Sequence, residues 1–262
     1  MAVILSMPER VAFSIFGFDI MWYGVIIAFA LLLGIAIAMY RAKKAGLNNE
    51  IILDILLLTI PLAVIGARAA YVLAHLDYYS YQPGLMFAIR QGGLAIQGAI
   101  AGGILGVFIM CRIKKQNTLL IADLMAPSLI LGQAIGRWGN YFNMEVYGTQ
   151  TTVPWAIRVD DSYLGIITVH PTFLYESIWN LICFALLLYY DKKIKKRNGE
   201  IICLYLILYS LGRFFIEFLR TDHVYIFGSV NLAQAICVLL ALAGILTIVI
   251  IRKNIKIINK KS

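Results

Sequence analysis

The sequence predicts an all-α polytopic membrane protein. It should have about seven transmembrane helices and a small extracytoplasmic head region, with the N-terminus outside and the C-terminus cytoplasmic. Two observations carry the class. Of the 262 residues 61% are hydrophobic and 14% charged, against about 25% charged in an average soluble protein. Together with a mean hydropathy of +0.82, this excludes a disordered chain and argues against a soluble globular domain. The apolar residues also fall in continuous runs of about 20, enough to cross a hydrocarbon core of about 30 Å as a helix. Residues 1–262 read as a single integral membrane domain.

Seven runs are legible in order, near 22–40, 51–73, 92–111, 118–136, 172–190, 201–219 and 229–251. None alternates with period two, so helices are expected rather than strands. The first follows an aromatic edge, Trp22-Tyr23, and runs into Arg41, Lys43 and Lys44. The third carries Gly98, Gly102 and Gly106 at four-residue spacing, which lets helices approach closely. The fourth ends in a polar segment, and the connection of about 137–171 is the expected head region. A second outside loop, 75–90, is rich in Tyr and holds Pro83-Gly84. The run at 2–5 is too short for the apolar part of a signal peptide, and no basic segment precedes it. The four cysteines fall in or beside spans without a CxxC spacing and read as small core residues. Asp54 and Asp123 lie near cytoplasmic ends and read as structural.

Charge placement gives the orientation. Sixteen of the 23 Lys and Arg, including every lysine, follow the first, third, fifth and seventh spans. The positive-inside rule puts those ends in the cytoplasm, in a bacterial inner (plasma) membrane. The net charge of +9 is therefore a topology signal, and no nucleic-acid partner is expected.

Charges inside spans are costly and suggest function. At 1.5 Å rise per residue, Arg68, Arg137, Arg213 and Glu217 sit about 25, 28, 18 and 24 Å from the cytoplasmic ends of three different spans, all in the outer half. Tyr209, Arg213 and Glu217 share one helix face at i, i+4 and i+8. An Arg–Glu pair that only fastens helices is one reading. An anion site is the other, since the planar guanidinium grips phosphate oxygens bidentately.

The span-end stretch Gly136-Arg137-Trp138-Gly139-Asn140-Tyr141-Phe142-Asn143-Met144-Glu145-Val146-Tyr147-Gly148 resembles the signature of the bacterial prolipoprotein diacylglyceryl transferase family, with Tyr141 at a usual Phe. Further similar segments run along the chain: Trp22-Tyr23-Gly24, Gly66-Ala67-Arg68, Gly92-Gly93-Leu94, His170-Pro171-Thr172, Leu174-Tyr175-Glu176, and Tyr209 through Arg213-Phe214 with Glu217 and Arg220. The resemblance implies transfer of the sn-1,2-diacylglyceryl group of phosphatidylglycerol to the lipobox cysteine of a prolipoprotein still carrying its signal peptide. Glycerol 1-phosphate leaves, and no cofactor or metal is implied. Arg137, Arg213 and Glu217 would be catalytic. Tyr23, Arg68, Gln97, Asn140, Asn143, Glu145, Gly148 and Tyr209 would bind substrate, with Glu145 and Glu217 holding arginines in place.

Two departures matter. Gln97-Gly98-Ala99 stands where the family often has His-Gly-Gly, and an amide cannot act as a base. Either another group takes the thiol proton, with His170 and Glu217 as the candidates, or a base matters less than proximity, since a free thiol is already a few per cent thiolate near neutrality. His170 also reads as a structural cap on span five. Phe173 stands where Gln is common, removing a polar group from the expected site edge. His75 and His223 read as solvated loop residues. A small-anion transporter or channel using the same arginines is the competing reading, although the internal repeats common in transporters are absent. An intramembrane protease would need a histidine inside a span to pair with Ser210, and there is none.

Overall fold

The computed structural model describes residues 8–48, 50–89, 92–161, 164–226 and 228–258, with side chains as far as 253. The short run at 2–5, Arg90, the Lys256 side chain, Lys260 and Lys261 lie outside them. Among the described residues seven helices are long and apolar enough to cross a membrane: Trp22–Lys44, Glu50–Ala74, Ile96–Ile113, Thr118–Asn143, Thr172–Lys193, Glu200–Leu219 and Leu232–Lys253. Large apolar side chains such as Leu32, Leu57 and Leu239 are about two-thirds or more exposed. An outward apolar surface of this kind suits lipid and is incompatible with water. The protein is a multi-pass membrane protein.

The chain divides into two compact units. In residues 38–121, α2 (Glu50–Ala74) and α4 (Ile96–Ile113) pack antiparallel. The glycine row makes this possible. A methyl on Gly98 would collide with the Gly66 carbonyl and one on Gly102 with the Leu62 carbonyl, while one on Gly106 would lie 2.6 Å from Thr59 Cα. Helix α4 begins four residues later than the apolar run because Gly92 and Gly93 adopt φ of 87° and 73°. A short helix α3 (Leu76–Tyr81) and a 3₁₀ turn (Pro83–Phe87) follow α2. Asp54 pairs with Lys114 at 2.5 Å.

The other unit, residues 1–37 and 122–262, holds the first part of α1 (Trp22–Lys44) and most of α5 (Thr118–Asn143). It also holds α6 (Thr172–Lys193), α7 (Glu200–Ile216) and α8 (Leu232–Ile258). Helix α7 packs against both α6 and α8, and α5, α6 and α7 share a core of Ala126, Ile130, Cys183, Leu187 and Ile201. A polar network closes one end. Asp123 of α5 accepts the backbone N–H of Gly199 (2.7 Å) and Ile202 (2.9 Å) and pairs with Lys195 at 3.0 Å. Glu200 accepts from Tyr190 Oη (2.9 Å) and from Arg252 Nη2 (2.8 Å). Two buried carboxylates thus satisfy and complement the N-terminus of α7.

Small hairpins lie outside the spans, which an all-α reading does not anticipate. They are β1–β2 (Val11–Ile15, Phe18–Met21), β3–β4 (Ile157–Asp161, Gly165–Val169) and β5–β6 (Tyr225–Ile226, Val230–Asn231), each antiparallel. Two-residue alternation of β-branched side chains drives β3–β4. Ile157 faces Val169 and Val159 faces Ile167, and these pack with Phe173 into a core of their own. Phe173 is therefore a core residue stacked on Tyr141 (5.0 Å between centroids), not a site edge. Helix α5 continues to Asn143, seven residues past the apolar run that ends at 136.

The glycine row yields a paired expectation. Gly98→Ala should lower the thermal unfolding midpoint in detergent by the equivalent of about 1–3 kcal/mol through overpacking. Gly103→Ala, whose methyl would meet only Thr59 Cγ2 at 3.9 Å, should be neutral or raise it by up to about 1 kcal/mol through helix propensity. Equal effects would contradict this packing.

Candidate active site

Three helix ends meet in the larger unit. Ser177 of α6 donates to the Ala134 carbonyl of α5 (2.9 Å) and accepts from Trp138 Nε1 (3.2 Å). Those bonds bracket Arg137. On the other side Trp179 of α6 lies on Gly212 of α7, where any side chain would strike the indole, and donates to the Leu208 carbonyl at 2.9 Å. Just before these two fastenings α6 carries Glu176, one residue from Ser177 and three from Trp179 and 4% exposed.

Glu176 is the hub. Its Oε2 pairs with Arg137 Nη2, and its Oε1 accepts from Arg213 Nη1 at 3.1 Å and lies 3.6 Å from Arg220 Nη1. A second buried carboxylate, Glu217, pairs through Oε2 with Arg213 Nη2 at 2.8 Å. Its Oε1 faces His223 Nδ1 (3.2 Å) and Asn231 Nδ2 (3.1 Å). Arg220 makes a fork to Asp222, with Nε to Oδ1 at 2.8 Å and Nη2 to Oδ2. Burial opposes the Asp222 charge, but the hydrogen bonds and charge of Arg220 outweigh it and hold the carboxyl below its usual range.

Three guanidiniums and three carboxylates balance, so the cluster holds together without a ligand. Its arginines differ in what they leave open. Side-chain exposure is 21% for Arg137 and 18% for Arg213 but 7% for Arg220. Each guanidinium has five donors. Arg220 is enclosed by carboxylates, whereas Arg137 and Arg213 retain donors on a partly open face.

Beyond α5 the backbone is strained. Met144 and Val146 adopt φ of 53° and 58°, unusual for non-glycine residues and more so for a β-branched one. Such strain gathers at functional sites. Thr172 Oγ1 holds the segment by donating to the Val146 carbonyl at 2.6 Å. Between the strained residues Glu145 accepts from Asn140 Nδ2 (2.8 Å) and Asn143 Nδ2 (3.3 Å). Its partners are thus amides, where the sequence suggested an arginine. The Tyr23 ring covers Gly139, so that a methyl there would be 2.7 Å from Cδ2, and Tyr23 as a residue is 40% exposed.

Other expected site residues have packing duties. Gly148 is hemmed in by the Leu219 carbonyl (2.7 Å from a virtual Cβ), His170 and Thr172. Tyr209 stacks on Tyr205, with centroids 5.9 Å apart, beside the helical core. In the smaller unit Arg68 clamps a loop. Nε donates to the Met86 carbonyl (2.8 Å), Nη1 to Gly92 and Gly93 (2.9 Å each) and Nη2 to Leu85 (2.6 Å). With four of its five donors on backbone carbonyls, Arg68 organises a loop rather than offering a phosphate site. Gln97 is exposed in the first turn of α4. His170 Nδ1 lies 3.1 Å from Tyr175 Oη, which also accepts from Trp155 Nε1 at 2.8 Å.

Sequence reasoning gave no site role to Glu176, Arg220, Asp222, His223 or Asn231, although Glu176 and Arg220 stand in segments similar to the family. Glu176 also met the criterion that selected the arginines, an ionisable residue inside an apolar run. Among the described residues no cluster of three or more His, Cys, Asp or Glu is suited to a metal ion.

Removing the hub should leave buried arginines unpaired, so Glu176→Ala should cost on the order of 3 kcal/mol or more in detergent unfolding. An unchanged midpoint would contradict the hub role. For Asp222 the sign is that of a depressed carboxyl. Its contribution is complete above the unfolded value of about 3.9 and is lost as pH falls through the lower folded value. Asp222→Asn should therefore lower stability near neutrality and remove that part of the acid dependence, as read by unfolding midpoints against pH.

Comparison with known proteins agrees with the layout. Residues 10–250 match the family described as prolipoprotein diacylglyceryl transferase. The phosphatidylglycerol–prolipoprotein diacylglyceryl transferase of Finegoldia magna is 46% identical over 247 residues, covering 94% of this chain and 97% of that protein. The Clostridioides difficile enzyme of that name is 44% identical over 248 residues (95% and 97%). That of Thermotoga maritima is 42% identical over 255 residues (94% and 86%). With the match spanning nearly all of both helical units, this chain belongs to the prolipoprotein diacylglyceryl transferase family.

Proposed function

We propose that this chain transfers the sn-1,2-diacylglyceryl group of phosphatidylglycerol to the lipobox cysteine thiol of prolipoproteins, an alkyl-type transfer that makes a thioether and releases glycerol 1-phosphate. The observation that carries the reading is the partly open Arg137–Arg213 pair, fixed on one buried Glu176 in a chain of this family.

The chemistry follows from the charges. The thiolate attacks the glyceryl carbon while the carbon–oxygen bond to phosphate breaks, and negative charge grows on the departing phosphate monoester. Fixed donors aimed at that charge lower the barrier, because they need no reorganisation as it develops. Arg137 and Arg213 supply those donors, as charge-assisted bonds to phosphate oxygens. Glu217 with Glu176 keeps Arg213 in position, and Arg220 with Asp222 braces the carboxylates from behind. Asn140 and Asn143, fixed by Glu145, retain amide oxygens for the headgroup hydroxyls. Tyr23 offers a further hydroxyl beside them. Gly148 admits the strand-like contact that leads into Arg220, Tyr209 packs α7, and Arg68 shapes the loop that precedes Gln97.

For location, we place the protein in the bacterial inner (plasma) membrane with this site toward the outer leaflet. Support comes from the helix ends that build the site: the C-terminal ends of α5 and α7 and the start of α6. The basic residues Lys192 and Lys193 in the last turn of α6, and Lys195 and Lys196 just past it, lie at the other end of that helix, as the positive-inside rule requires for a cytoplasmic face.

The test is transfer in proteoliposomes containing labelled phosphatidylglycerol and a lipobox peptide. Thioether product and glycerol 1-phosphate should appear in equal amounts. Arg137→Ala and Arg213→Ala should each lower kcat by about 100-fold or more while the protein still inserts. No transfer by the folded protein would overturn the activity, and full turnover by both variants would overturn the phosphate assignment.

A further inference from the structure

A cysteine thiol must lose its proton before it attacks carbon. With a pKa of about 8.5, only a few per cent is thiolate near neutral pH. A base beside the phosphate-binding arginines would remove that handicap. Gln97 cannot serve, His170 is engaged with Tyr175, and Glu217 is committed to Arg213 and Asn231.

The structure gives His223 a different place from the solvated one expected of a loop histidine. Its Nδ1 lies 3.2 Å from Glu217 Oε1 and 3.0 Å from Asn231 Nδ2, and that amide donates to the same Oε1 at 3.1 Å. The orientation of Asn231 is fixed, because its Oδ1 caps α8 by accepting from Ala233 N (2.9 Å) and Gln234 N (3.2 Å). Nδ1 thus faces an acceptor, Glu217 Oε1, and a donor, Asn231 Nδ2. Because the amide hydrogen goes to Oε1, an Nδ1–H can converge on the same carboxylate oxygen, and in that tautomer Nε2 is left as the proton acceptor. The side chain is 23% exposed, with Tyr225 edge-on at 5.8 Å. The other oxygen of Glu217 holds Arg213 at 2.8 Å. One carboxylate therefore fixes an imidazole on one side and a phosphate-binding guanidinium on the other. Glu217 is the charged group in contact with this imidazole, and through that carboxylate it is linked to Arg213 and Arg220. Asp222 precedes it in the chain, and Asn231 of β6 and Tyr225 of β5 are neutral neighbours.

We infer that His223 is the thiol's proton acceptor in this chain, oriented by Glu217 and Asn231. The inference rests on the transferase reading above. The S–H bond breaks and its proton goes to Nε2. The S–C bond forms at the glyceryl carbon as the C–O bond to phosphate breaks. His223 then returns the proton to the released phosphate monoester and is neutral for the next turnover.

The experiment compares a lipobox peptide with the same peptide carrying selenocysteine, whose selenol is already ionised at neutral pH, in the proteoliposome assay. His223→Asn keeps a donor toward Glu217 but has no base. It should lose about 100-fold in kcat with the thiol peptide and come within a few-fold of wild type with the selenol peptide. A variant that is unimpaired, or equally slow with both peptides, overturns the proposal. If His223→Asn does not fold, the wild-type protein decides alone. Its rate with the thiol peptide should level off well below the thiol's own pKa of about 8.5, whereas a tenfold rise per pH unit up to that value overturns the proposal. Failure of wild type with both peptides would strike the transferase reading instead.

Discussion

One buried carboxylate governs this protein. Glu176 stands where three guanidiniums from α5, α7 and the turn after α7 converge. Without it, like charges would face each other in a poorly hydrated site, where repulsion is weakly screened. Its position is set by neighbours one and three residues away on α6. Ser177 ties the helix to α5, and Trp179 fits only because residue 212 is glycine. The signature glycine next to Arg213 is thus part of the electrostatics. It sets the helix spacing at which one carboxylate reaches two arginines.

Charge balance gives the site a second property. Asp222 and Glu217 neutralise what Glu176 alone cannot, so the folded protein holds its arginines ready without an anion. Under the proposed function, this balance would let Arg137 and Arg213 take and release an anionic headgroup without the cluster collapsing between turnovers. The opposite end of α7 follows the same logic with reversed sign. There Asp123 and Glu200 satisfy the helix N-terminus, while Arg213 lies near its C-terminus, an arrangement that the helix dipole favours at both ends.

Much of this was legible in the sequence. The seven helices follow from apolar runs, because a lipid environment leaves few other ways to satisfy the backbone. Arg137, Arg213 and Glu217 stood out because a charge in such a run needs a reason. Other features depend on contacts between distant segments. Arg68 met the same criterion but binds loop carbonyls, a fate decided by Leu85, Met86, Gly92 and Gly93 presenting their carbonyls to it. Phe173 seemed a lost site residue, and became core once the β3–β4 alternation built a hydrophobic patch above it. His223 looked like an ordinary loop histidine, since nothing local shows that β6 returns Asn231 to its side.

The central claim is that Arg137 and Arg213, bridged by Glu176, receive the phosphate of phosphatidylglycerol. Its most direct test is a structure determined with that lipid bound and no acceptor peptide. The account predicts phosphate oxygens within hydrogen-bonding distance, about 2.7–3.2 Å, of both guanidiniums, with Glu176 still between them. A phosphate seated elsewhere, with Arg137 and Arg213 contacting only carboxylates, would contradict it.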